Sequence, residues 1–299
     1  VLALSEHQSP LTSDMADTHL AWLCEQIISN RFLPVPPEED VFVGDGDYRA
    51  IGAEFLGHFV RMAGLKTTED VLDIGCGIGR IAVPLTQFLN PKQAVYRGMD
   101  PVRGGIDWCK RAITPAYPNF RFECSDIKNE LYNPEGEISG RGMRLPFQDG
   151  TFDFTAMISV ATHLPPDEIE TYCSEVFRVL RPGGRLFLTA FVIREDDDPS
   201  NPGRDARLKG FEKAEGQPCW HLRGENPMAA VGIILMLMFL AWIRVATLLF
   251  AIFFGLEAMP PFEQFFPALI LEPRGLSLLV IGTIVGGLIA AAVFSVAVV

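Results

Sequence analysis

Three glycines at alternate positions, Gly75, Gly77 and Gly79, follow the apolar run Val71-Leu72-Asp73-Ile74 and precede Arg80-Ile81-Ala82-Val83. Glycine in such a turn lets the backbone fold tightly and lets a ligand approach main-chain N–H groups, while the next helix start aims further N–H groups at it. Strand, glycine turn and helix form the first half of a nucleotide-binding βαβ unit, with Cys76 inside the turn. The dinucleotide fingerprint would need its third glycine where Arg80 stands, so the spacing departs from it. Asp100 lies 21 residues beyond Gly79, at the end of the strand-like run 94–100. A nucleotide-binding unit places a carboxylate there to accept hydrogen bonds from two ribose hydroxyls. Farther on, His163 follows the strand-like run 152–159, which ends on Ser159. Histidine exchanges a proton near neutral pH and would serve as a base or orient an acceptor, although a lone histidine before a helix is more often structural.

These residues need a scaffold, and the hydrophobic periodicity supplies one. Leu20, Leu23, Cys24, Ile27 and Ile28 fall at helical spacing over residues 13–29, and Pro34, Pro36 and Pro37 end that helix. A second helix is expected over 48–63, and the two either pack on the sheet or cover the ligand cleft. Beyond the glycine turn the pattern predicts a helix over 80–89, the strand ending at Asp100, a helix from about 102 and a strand over 120–124. Residues 128–148 form a long loop, and long loops in compact domains are often lids or binding loops. The strand over 152–159 follows, then a helix opened by Pro165 and Pro166, whose core stripe is Ile169, Tyr172, Cys173, Val176, Phe177 and Leu180. Arg181-Pro182-Gly183-Gly184 is read as its stop, before a buried strand over 185–193.

The pattern D-x-G-x-G-x-G at 73–79 resembles motif I of the class I S-adenosylmethionine-dependent methyltransferases, and 179–186 (VLRPGGRL) resembles the stretch before their fifth strand. With Asp100, Asp126 and Phe152-Asp153 the features follow the family's order over residues 48–193. The resemblance implies an α/β fold with a Rossmann-like parallel sheet and flanking helices, and S-adenosylmethionine as cofactor. It implies that residues 75–79 approach the donor's amino-acid part, Asp73 organises the turn, Asp100 holds the ribose, and Asp126 and Ile127 hold the adenine, with Ser159 at the cleft end of the fourth strand. The acceptor, a small molecule or a protein, stays open. The rival reading is a non-catalytic membrane scaffold with a nucleoside-binding domain. A sheet of this class adds a helix and an antiparallel strand pair after strand five; no such pattern is legible, so five parallel strands with one bare edge are expected.

The chain carries 25 Lys+Arg against 37 Asp+Glu, a net charge of −12, which argues against nucleic acid as partner. Six scattered cysteines without a C-x-x-C pair, and five histidines, show no metal-ligand spacing. The start at Val1 has neither the basic nor the apolar region of a secretory signal and is expected to lack the true beginning. The expected domains are 1–45 (tail and helix), 46–194 (donor-binding domain), 195–227 (charged linker) and 228–299 (two transmembrane helices with an interfacial loop). Residues 228–255 are broken only by Arg244 and Glu-free until 257, and 276–299 hold no charge, long enough for two spans. Phe262, Phe265, Phe266, Leu269 and Ile270 suit an interfacial piece between them. The stretches 242–250 and 273–276 resemble a family of bacterial multi-span inner-membrane proteins of unknown function. Arg204, Arg207, Lys209, Lys213 and Arg223 before the first span, against Arg274 alone in the connecting loop, place the domain on the cytoplasmic side of an inner membrane. The change of composition near 226–233 reads as a junction of two gene pieces.

Overall fold

The computed structural model describes residues 13–44, 46–193, 211–213, 219–222, 231–234, 269–271, 277–281 and 294–297. Helix α1 (Ser13–Ser29) and helix α2 (Tyr48–Ala63) lead into β1 (Val71–Ile74), α3 (Ala82–Phe88), β2 (Tyr96–Asp100), α4 (Arg103–Ala112) and β3 (Phe120–Cys124). A short parallel pair, β4 (Ile127–Lys128) with β5 (Ile138–Ser139), sits in the long loop before β6 (Phe152–Met157), α5 (Pro166–Val179) and β7 (Leu180–Thr189). The remaining strands are β8 (Phe191–Ile193), β9 (Phe211–Lys213), β10 (Cys219–Leu222), β11 (Val231–Ile234), β12 (Leu269–Leu271), β13 (Ser277–Ile281) and β14 (Phe294–Ala297).

The main sheet has eight strands in the order β12-β13-β14-β7-β6-β1-β2-β3. Its centre is parallel, with Val71 opposite Tyr96 on one side and Phe154 on the other. The chain runs outward from β1 through β2 to β3 and returns to the other side of β1 for β6 and β7, so the order reverses between β1 and β6. Alternation of side chains explains why both faces are covered. Val71, Tyr96, Phe154 and Phe187 pack under α1 to α4, whereas Leu72, Phe152, Leu186 and Leu188 pack under α5 and the loop residues Met143 and Leu145. Phe59 of α2 fits between Phe154 and Phe187, at centroid distances of 5.1 and 5.0 Å. Asp47 caps α2 by accepting from the Ala50 N–H at 2.7 Å, and Gly64 ends it at φ 62°, a left-handed conformation suited to glycine.

At the amino ends of the strands, Arg181 clasps Asp70 at 2.9 Å and Asp153 at 2.5 Å, and Asp70 also accepts from the Val95 N–H. This ties β1, β2, β6 and β7 at the end opposite the site. The expected turn at 181–184 lies within β7 as a bulge: Phe152 pairs with Leu180 and Phe154 with Arg185, the residues between have no register partner on β6, and Gly183 takes φ 81°.

Two further expectations are corrected. The free edge of β7 is not bare, because β14 pairs with it in parallel, Phe294 opposite Leu186, and β13 and β12 follow antiparallel. Residues 211–213, 219–222 and 231–234 are not linker or span helix but join β8 in a four-stranded sheet, β8-β11-β10-β9. Among the described residues no helix is long and apolar enough to cross a membrane. At 277–281 and 294–297 the structure has strands, an arrangement that an uncharged apolar run fits as well as it fits a span. The rest of both expected spans, Arg244 included, lies outside the described residues.

Candidate functional site

A cavity of about 540 Å³ opens at the carboxyl ends of β1, β2 and β6, where the strand order reverses, and its wall includes Ile74, Gly75, Cys76, Gly77, Met99, Asp100, Ile158 and Ser159. The glycine turn shapes one side. Gly75, Gly77 and Gly79 have φ of 77°, 54° and 77°, a region that side-chain-bearing residues rarely adopt. A Cβ on Gly75 would lie 2.3 Å from Val160 Cγ2, and one on Gly77 would lie 2.5 Å from Val43 Cγ1. The turn is therefore sandwiched between Val43 and Val160, which themselves line the cavity. Gly79 lies off the wall, packed on Cys109 of α4 and on Ile113, which follows that helix.

Asp100 ends β2 with both oxygens engaged: Oδ2 accepts from the Gly77 N–H and Oδ1 from the Val102 N–H, each at 2.8 Å. A carboxylate oxygen has a second lone pair, so both can still accept from a ligand. Burial raises Asp100 above the usual carboxylate range, and the two backbone N–H groups oppose that shift. Asp73 lies behind the turn, fully buried, accepting from the Tyr96 hydroxyl at 2.5 Å through Oδ2, while Oδ1 has no partner. Burial pushes its carboxyl up to about 7; the Tyr96 hydrogen bond lowers it and Asp100 raises it further. Asp73 thus supports the turn from behind rather than touching the cavity. The Cys76 thiol is also buried, against Gly98, and burial raises it well above its ordinary value.

Beyond β2, toward β3, the wall is made by Pro101, Ser125 and Ile127. Asp126 is exposed and stands outside the wall; only its carbonyl is engaged, accepting from the Ile138 N–H at 3.0 Å. Ser159 takes φ 58°, unusual for a residue with a side chain. It is held there by its N–H donating to Thr189 Oγ1 at 2.6 Å and its carbonyl accepting from Thr162 Oγ1 at 2.7 Å. Backbone strain of this kind clusters at ligand sites.

The remaining wall is apolar: Phe42, Ile51, Phe55, Ile81, Leu131, Leu145 and Leu164. Polar side chains interrupt it at Arg80, Asn129, Tyr132, His163 and Tyr172. Tyr132 Oη lies 3.4 Å from His163 Nε2, and the rings meet edge to face at 5.2 Å. Burial raises both phenols, Tyr172 more strongly. Sequence reasoning singled out His163 but missed Tyr132, which lies in a loop without period, and placed Tyr172 in a core stripe. Arg80, Val43 and Phe42 were missed as wall residues because they are remote in sequence or read as ordinary helix and turn positions.

Comparison with known proteins divides the chain in two. The methyltransferase domain family matches residues 71–184, and a family described as a predicted integral membrane protein (DUF2189) matches residues 212–299. The sterol 24-C-methyltransferase of Schizosaccharomyces pombe is 29% identical over 155 residues, 52% of this chain and 36% of that protein. The botryococcene C-methyltransferase of Botryococcus braunii is 31% identical over 172 residues, covering 56% and 41%. The phthiotriol/phenolphthiotriol dimycocerosates methyltransferase 1 of Mycobacterium ulcerans is 36% identical over 119 residues, covering 40% and 36%. The chain thus spans well under half the length of these curated relatives.

Proposed function

We propose that this chain, whose residues 71–184 are an S-adenosylmethionine-dependent methyltransferase domain, is a membrane-associated enzyme that methylates a small apolar acceptor. The observation that carries the donor half is the Gly77–Asp100 hydrogen bond, which fixes a glycine turn and a strand-end carboxylate in the wall of one cavity. The cavity volume of about 540 Å³ lies within the range of roughly 300–1,000 Å³ common to small-molecule sites.

When bound, the donor supplies an activated methyl on a sulfonium, displaced in line by the acceptor. The chain's own work is positioning. The main chain at residues 75–77, its N–H groups held by the Met99 carbonyl and the Asp100 carboxylate, leaves side-chain-free space for the amino-acid arm, and Asp100 accepts from the ribose hydroxyls with its spare lone pairs. Ile127 packs on the adenine, with Ser125 as its polar neighbour. The valines on either side of the turn keep it from collapsing into this space.

The acceptor half is the apolar wall, Ile51, Phe55, Leu145 and Leu164, with His163, Tyr132 and Tyr172 as its hydrogen-bonding groups. Such a wall excludes water and favours an apolar molecule carrying one or a few polar groups. His163 is placed to take a proton from a protonated acceptor, with Tyr132 orienting the ring. The names of the relatives, which include sterol and botryococcene methyltransferases, support an apolar acceptor. The match of residues 212–299 to a predicted integral membrane protein family supports a membrane location, where such an acceptor is concentrated. Arg204, Arg207, Lys209, Lys213 and Arg223 before residue 228, against Arg274 alone between the expected spans, support a cytoplasmic face of a bacterial-type inner membrane.

Isothermal titration of the full chain in detergent with S-adenosylmethionine and S-adenosylhomocysteine tests this reading. Saturable binding of both in the micromolar range is expected; binding of neither at millimolar concentration removes the enzyme reading.

A further inference from the structure

Arg80 is the one arginine in the described cavity wall. It follows the glycine turn and is nine-tenths buried, with 9% of its surface exposed. One end of the guanidinium is fixed: Nη2 donates to the Gly44 carbonyl at 2.7 Å. The guanidinium carbon also stands 5.9 Å from the centroid of the Tyr48 ring, whose hydroxyl is tied to the Ile78 carbonyl at 2.8 Å. Nε is buried without a hydrogen-bond partner, and no carboxylate among the described residues forms an ion pair with Arg80. Arg178, Arg181 and Arg185 face carboxylates, whereas half-buried Arg49 and Arg97 also leave a buried nitrogen without a hydrogen-bond partner but stand outside the cavity wall.

Burying a guanidinium without an anion is costly, and the cost is met when a ligand brings the anion. Asp100, the one carboxylate in the wall, already serves two backbone N–H groups and makes no contact with Arg80. The cavity therefore has a cationic corner, at Arg80 and Gly44, distinct from its anionic one at Asp100. We infer that Arg80 is the counter-ion for the α-carboxylate of the donor's amino-acid arm, its guanidinium held in place by the Gly44 carbonyl and the Tyr48 ring. The planar fork of arginine suits a carboxylate, and charge-assisted hydrogen bonds of this type are strong. Arg80 then sets which way round the donor lies, with its carboxylate toward residues 43–44 and its ribose toward β2. The inference rests on the donor reading above.

The test is titration of the full chain in detergent with three nucleosides. S-adenosylhomocysteine carries the carboxylate, S-adenosyl-3-thiopropylamine lacks only that group, and 5′-methylthioadenosine lacks the whole amino-acid arm. Wild-type protein should bind S-adenosylhomocysteine at least about tenfold more tightly than the decarboxylated compound. Arg80→Met should erase that preference while changing the affinity for 5′-methylthioadenosine by less than about twofold, and Arg80→Lys should restore part of it. Equal wild-type affinity for the first two compounds overturns the inference without any variant, even if Arg80→Met fails to fold. So does a variant that weakens all three alike, which would make Arg80 a support of the loop at 42–44. Binding of none of the three by wild-type protein would instead overturn the donor reading itself.

Discussion

Replacing Asp73 by asparagine should change how stability depends on pH. In the folded protein burial holds this carboxyl up at about 7, against an ordinary 3.8, so the folded state keeps the proton over a range in which the unfolded chain releases it. The sign follows from linkage: the group's stabilising contribution is full below about 3.8 and is lost as pH rises through about 7. A shift of that size corresponds to roughly 4 kcal/mol lost across the window, at about 1.4 kcal/mol per unit. Asparagine is neutral at every pH, and its carbonyl can still accept from the Tyr96 hydroxyl that now donates to Oδ2. Its amide would occupy the place of Oδ1, which has no partner, at a cost of about 1–3 kcal/mol. Asp73→Asn should therefore be the less stable protein near pH 4.5 and equal or more stable, by up to about 2 kcal/mol, near pH 8. Urea unfolding of the full chain in detergent at the two pH values, followed by far-ultraviolet circular dichroism, measures this. Wild-type and variant curves that shift in parallel with pH would refute the reasoning, because they would mean that Asp73 is ionised in the folded state throughout.

The other predictions concern the cavity and the membrane. Asp100→Ala should weaken S-adenosylhomocysteine binding by about 1–3 kcal/mol, measured by titration, since it leaves the ribose hydroxyls and the Gly77 N–H without their acceptor. Gly77→Ala should abolish measurable binding, because its Cβ would meet Val43 Cγ1 at 2.5 Å on a backbone at φ 54°, and Val43→Ala in the same chain should recover part of the affinity. On fractionation the full-length chain should stay with membranes through high-salt and alkaline washes, and release by salt alone would remove apolar attachment as the cause.

The parallel centre of the sheet was legible in the sequence because each strand ends on a chemically distinct residue: the glycine turn after β1, Asp100 after β2, Ser159 after β6. The carboxyl-end cavity follows from that topology. What stayed hidden depends on contacts between residues far apart in sequence. Gly77 was expected to spare room for a ligand, whereas its Cβ direction points at Val43, 34 residues earlier. Asp126 has the right type and position, yet its exposure is decided by the β4–β5 pair, which no local pattern announces. Tyr172 sits on a helical stripe like its core neighbours, and only the shape of the cavity shows that it faces the site. The strand partners of β7 were missed because apolar runs at 277–281 and 294–297 carry no sign of where they pair.

The central claim, methyl transfer to an apolar acceptor, is tested most directly by incubating the full chain in its membranes with S-adenosylmethionine labelled in the methyl group and separating the products by organic extraction. Label should enter a small molecule in the organic phase, and Asp100→Ala should reduce the amount strongly. Label in protein alone, or none above the level of membranes lacking the chain, would contradict the account.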